Sequence, residues 1–119
     1  MVKKDGVILL VLPDKRFTFD KKRSYTTFNH LLDDFKNNTA EDNLPHIPEV
    51  LRMHYLRLDP GSEQNFKKFK NRCEQNFLNR CVHHHVFSLD VLRQMVEYVD
   101  MQVVAQKFVP SIYSSGNCW

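Results

Sequence analysis

Gly6-Val-Ile-Leu-Leu-Val-Leu12, closed by Pro13, constrains this chain more than any other stretch. Six consecutive apolar residues without polar alternation suit a strand covered on both faces, as in a sheet flanked by helices. Pro13 has no N–H to donate and ends the pairing. A second strand is expected over Met101-Gln-Val-Val-Ala-Gln-Lys-Phe-Val109, ended by Pro110. Two strands do not make an independently stable sheet, so the pattern predicts part of a larger one.

Helical spacing fills the region between the strands. Thr26 or Thr27 caps a helix with Phe28, Leu31, Leu32 and Phe35 on one face and Asp33 and Asp34 on the other. Residues 37–46 are polar and read as a surface loop. Pro48 suits the first turn of a second helix carrying Ile47, Val50, Leu51, His54, Tyr55 and Leu58, broken by Asp59-Pro-Gly61. Ser62 is expected to cap a third helix with Phe66, Phe69, Cys73 and Phe77 in one stripe. An extended segment, Val82 to Phe87, then precedes a fourth helix capped by Ser88, with Val91, Leu92, Met95, Val96 and Val99 inward.

Charge excludes little and favours little. Seventeen Lys and Arg against fourteen Asp and Glu leave +3 across 119 residues, too small an excess to imply nucleic acid. Lys21-Lys-Arg23 and Lys67-Lys-Phe-Lys70 read as solvated faces. No apolar run approaches a membrane span, and six apolar residues are too few for a secretory signal core. Cys73, Cys81 and Cys118 form neither a CxxC pair nor an even set. Reduced thiols in a cytoplasmic protein are the expectation.

Three segments carry a family resemblance. Pro13-Asp-Lys-Arg-Phe-Thr-Phe-Asp20, Thr27-Phe-Asn-His-Leu-Leu-Asp-Asp-Phe35 and His83-His-His-Val-Phe-Ser88 occur in this order. Together they resemble the C-terminal half of class I S-adenosylmethionine-dependent methyltransferases, in a subgroup associated with sugar and glycan modification. The resemblance implies an α/β, partial Rossmann-like fold of strand, helical insert, helix and strand. It implies a methyltransferase-like portion over residues 1–109, an insert over about 26–80, and an irregular tail over 110–119. The family's cofactor site is a Gly-rich turn at the first strand. The three glycines here, Gly6, Gly61 and Gly116, belong to no such turn. The expectation is therefore an incomplete fold that binds S-adenosylmethionine weakly or not at all by itself. Its reaction would be methyl transfer to a small polar acceptor such as a sugar hydroxyl. The alternative is a non-catalytic module, a homo-oligomer or a subunit completing a partner's sheet.

Within that resemblance, Asp14, Lys15, Arg16 and Asp20 lie on the rim where doubly wound folds place ligands, and they are the candidate substrate-binding residues. Lys15 and Arg16 can grip an anion, and the carboxylates can accept sugar hydroxyls. The other reading is a loop cross-linked by its own ion pairs. In extended backbone His83 and His85 share a face and His84 takes the opposite one. His83 and His85 are the candidate catalytic bases for a hydroxyl acceptor. They can equally serve as hydrogen-bonding anchors of the Asp14–Asp20 loop. His30 is expected to be partly buried and hydrogen-bonded. Cys81, His83 and His85 could offer three zinc ligands, but no fourth stands at a diagnostic spacing, and no metal is expected.

Overall fold

A computed structural model describes residue 3 and residues 5–40 and 45–108. Five α-helices and three short 3-10 turns make up their regular structure: α1 (Phe28–Lys36), α2 (Ile47–Met53), α3 (Phe66–Glu74), α4 (Asn76–Asn79) and α5 (Leu89–Tyr98). The 3-10 turns span Lys15–Phe17, Leu56–Leu58 and Pro60–Ser62.

The described residues contain no strand, which overturns the expected α/β, Rossmann-like fold. Gly6 to Leu12 and 101–108 have no regular structure, and no ladder forms between them. A strand exists only through the hydrogen bonds of a neighbour, and none of the described residues supplies one. The run intended for a sheet interior consequently lies open, with Val7 81% and Leu9 85% exposed. Val109 and the tail over 110–119 lie outside the described residues.

Local signals fared better than pairing. Thr27 caps α1 by accepting from the His30 N–H, and Ser88 caps α5 by accepting from Val91 N–H. Pro48 sits in the first turn of α2. The second helix stops at Met53 rather than Leu58, because residues 56–58 and 60–62 tighten into 3-10 turns before Glu63 turns left-handed at φ 49°. Ser62 does not cap α3. Its hydroxyl donates to the carbonyls of Leu56 and Asp59, and Asn65 takes the cap by accepting from Lys68 N–H.

The core is small and lies where α2 meets α3. Ile47, Val50, Phe69, Cys73 and Val82 are buried there, with Leu51, Leu56 and Cys81 packed against them. α1 packs on α5, with the Phe28 and Tyr98 rings edge to face at 5.7 Å. The outer ends of the expected stripes are exposed, among them Phe35, Phe66, Phe77 and Val99. The Cα radius of gyration is 15.7 Å. A compact chain of this size would have about 13 Å. The excess matches a helical body with unpaired extended arms.

Candidate functional site

The three segments that carry the resemblance converge in space although the sheet expected to unite them is missing. Arg23 is the clip. It is 2% exposed, donates to Asp20 Oδ1 at 3.0 Å, and reaches the carbonyls of His83 at 2.5 Å and His84 at 2.9 Å. Its Nε lies 3.5 Å from Glu49 Oε1. Three residues further on, Thr26 N–H donates to Val86 O, and Val86 N–H donates to Thr26 Oγ1, both at 2.9 Å. From the other side, Asn76 Oδ1 accepts from the N–H groups of Cys81 and Val82, each at 3.0 Å. The histidine segment is thus held at both ends without belonging to a strand.

That attachment changes where its side chains go. His83 Nδ1–H donates to Asp20 Oδ2 at 2.6 Å, its ring tilted against Phe19 at 4.7 Å. The His83 side chain keeps 40% of its surface exposed. His85 turns elsewhere, toward Asp34 and His46. His84 also lies beside His46, at 5.6 Å between ring centroids. The expected alternation, with His84 opposed to the other two, fails because it presumed a regular strand. Cys81 parts from both histidines: its thiol meets Cys73 and donates to Arg72 O at 3.6 Å. A zinc set of Cys81, His83 and His85 is therefore not assembled.

The Asp14–Asp20 loop spends most of its charge on itself. Asp14 accepts from Arg16 through Nε at 2.9 Å and Nη2 at 2.5 Å, and this guanidinium holds the Asp14 carboxyl below its ordinary value. Lys15 donates to Arg23 O and lies over the Tyr25 ring. Asp20 is buried. Burial works to raise its pKa, but the hydrogen bonds from His83 and Arg23 outweigh that and hold it below the ordinary carboxylate range. Arg16 remains the exposed cation of the four candidate substrate residues.

A second cluster lies beside this junction. His30 and Asp34 occupy one face of α1 at i and i+4, His46 stands just before α2, and His85 arrives from the histidine segment. Asp34 Oδ2 is 3.4 Å from His30 Nε2 and 3.5 Å from both His46 Nε2 and His85 Nε2. His30 Nε2 and His46 Nε2 are 2.7 Å apart. His30 is not partly buried as expected, since its side chain is 46% exposed. Burial, helped by His46, pushes His85 down to about 4, and burial also lowers His46. Sequence reasoning missed Asp34, taken for a solvent-facing acid, and His46, taken for loop. The i, i+4 His30–Asp34 pair was the available signal.

A shallow groove of about 330 Å³ opens where the N-terminal ends of α1 and α5 meet, lined by the polar Thr26, Thr27, Asn29, Ser88 and Gln94 and by Tyr25, Phe28 and Val91. Its lining is mixed, polar and apolar in similar measure. No described helix is long and apolar enough to cross a membrane. The described residues offer neither a Gly-rich turn nor a sheet at which S-adenosylmethionine could be cradled. The chain matches no protein-family model, no curated protein and no solved structure.

Proposed function

We propose that this chain supplies the acceptor side of a methyl transfer to a small polar acceptor such as a sugar hydroxyl, with His83 as the base. The observation that carries the reading is the convergence of residues 13–20 with 83–88 through Asp20, Arg23 and Thr26, with Asp34 of 27–35 lying 3.5 Å from His85. Asp20 fixes His83 through Nδ1, which leaves Nε2 as the proton acceptor. The acceptor hydroxyl delivers its proton to Nε2 while its oxygen becomes the nucleophile. Arg16 and the groove beside Thr26 and Ser88 supply charge and hydroxyl partners for the rest of the acceptor. His85 faces the Asp34 cluster and takes no part as base. The reading assigns S-adenosylmethionine to another polypeptide segment and a cytoplasmic setting to the protein, in keeping with the free thiols of Cys73 and Cys81.

Amide shift mapping with a panel of sugars tests this. Shifts confined to residues 14–20, 26–29 and 83–88, weakened in Arg16→Gln, support the reading. No member of the panel shifting these segments would sink it. Calorimetry with S-adenosylmethionine should show no tight binding, and a tight complex would refute the assignment of the cofactor to another segment.

A second reading has its own observation. Val7 to Leu12 is non-helical, exposed and unpaired, as a strand donated to a partner's sheet would be. Light scattering that finds a monodisperse monomer would count against this interaction module.

A further inference from the structure

We propose that His30, Asp34, His46 and His85 form a binding site for a divalent transition metal, zinc above all. This inference stands apart from the methyl-transfer reading, because it uses none of the groups assigned there.

The geometry carries it. One atom from each of the four residues lies within 4.8 Å of the other three. Zinc binds imidazole nitrogen and carboxylate oxygen at roughly 2.0–2.1 Å, so adjacent corners of its tetrahedron stand about 3.3–3.4 Å apart. The three separations from Asp34 Oδ2, at 3.4, 3.5 and 3.5 Å, match those corners. They are too long for good hydrogen bonds, and Asp34 Oδ2 is in fact a buried oxygen with no hydrogen-bond partner. Leaving such an oxygen bare among three imidazoles is costly, whereas a cation at their centre gives Asp34 Oδ2 and the three facing Nε2 atoms a common partner, with Nδ1 of His46 and His85 left for further partners. The His30–His46 edge, at 2.7 Å, must open, while the four atoms together stay within 4.8 Å of one another. His30 is the exposed member and can swing outward, which also gives the ion an entry path.

The donor set selects the ion. Three neutral imidazoles and one carboxylate suit zinc and its late transition-metal neighbours, while calcium and magnesium prefer oxygen cages. Four protein ligands close the coordination sphere, as in sites that organise a fold rather than activate water. The ligands come from α1, the start of α2 and the histidine segment; the last two share the small core through Ile47, Val50 and Val82, whereas α1 contributes nothing to it. A metal here supplies a tie that the small core lacks.

The test uses untagged protein with CoCl₂ and ZnCl₂ as probes. The expected result is one cobalt per chain, with the intense visible bands of four-coordinate cobalt, displaced by zinc and accompanied by a rise in Tm. Asp34→Asn is isosteric and His30→Gln changes an exposed side chain, so both should fold, as circular dichroism would show. Each should weaken cobalt binding by more than the roughly 10–100-fold that outer-shell changes cost. His83→Gln should leave it unchanged. Substoichiometric cobalt in the wild type overturns the proposal, and so does full binding by Asp34→Asn and His30→Gln. Loss of sugar-induced shifts with cobalt binding intact would strike the methyl-transfer reading alone.

Discussion

Replacing Arg23 by Met tests whether the junction of the Asp14–Asp20 loop with the histidine segment is held by one buried cation. The side chain is 1% exposed and Asp20 beside it 5%. Met fills a similar volume without charge or donors. The substitution removes the ion pair with Asp20 and two charged donors to the carbonyls of His83 and His84. Breaking a buried pair from one side costs about 3–5 kcal/mol, because the surviving charge stays desolvated. Folded domains are stable by about 5–15 kcal/mol, so the loss is a large fraction of the total. In urea, with an m of about 1.5 kcal/mol/M, the midpoint should fall by about 2–3 M. Asp20→Asn alone strands Arg23 and should also destabilise. The double variant Arg23→Met/Asp20→Asn leaves neither charge and should lose about 1–3 kcal/mol less than the sum of the singles.

Hydrogen exchange supplies a readout specific to position. Arg23 anchors a segment sixty residues away, so Arg23→Met should speed exchange of the Thr26 and Val86 amides more than that of α3. A midpoint shift equivalent to less than about 1 kcal/mol would refute the reasoning, since buried pairs broken from one side do not cost so little. Strict additivity in the cycle would refute it too, because two groups in one buried pair must couple.

Three other outcomes are expected. Burial works to raise the Asp59 carboxyl, yet the His54 hydrogen bond at 2.9 Å and the Arg72 guanidinium hold it below the ordinary 3.8. The unfolded chain therefore takes up this proton first, so Asp59 stabilises the fold above pH 3.8 and loses that effect as pH falls through its folded value. Urea midpoints measured from pH 6 downward should fall for the wild type and change less for Asp59→Asn. The Cys73 hydrogen bond, opposed by burial and helped by Arg72, draws the Cys81 thiol down to about 7. Alkylation of the Cys81 peptide, followed by mass spectrometry, should rise with a midpoint near that pH and shift upward in Cys73→Ala. A Cβ at Gly61 would overlap Arg72 Nη1, so the guanidinium must shift and its pairing with buried Asp59 through Nη2 is disturbed. Gly61→Ala should cost about 1–3 kcal/mol in urea unfolding, and an unchanged midpoint would show that Arg72 pairs with Asp59 from another rotamer.

What the sequence made legible follows the range of each interaction. Ser88 and Pro48 are legible, and the cap of α1 is narrowed to Thr26 or Thr27, because a cap is settled within three or four residues. Ser62, the expected cap of α3, gives its hydroxyl to the carbonyl of Asp59 instead, and Asn65 caps the helix three residues later. Strand pairing is settled at a distance, so an apolar run such as Val7 to Leu12 states a need for cover without naming the cover. The site shows the same division. His83 and Asp20 stood out as chemical groups, but nothing local distinguishes Arg23, the buried clip, from Lys21 and Lys22, which lie over the Tyr55 ring. All three are one basic run in the sequence, and only Arg23 has a carboxylate at i−3 together with two carbonyls sixty residues on. The cluster of His30, Asp34, His46 and His85 was hidden for the same reason. Its i, i+4 pair is written in α1, but its value depends on a loop and a distant segment arriving at one point. Histidines that look like scattered anchors along the chain become a ligand set only when α1, the start of α2 and the histidine segment are brought to one point by contacts made far apart in the chain.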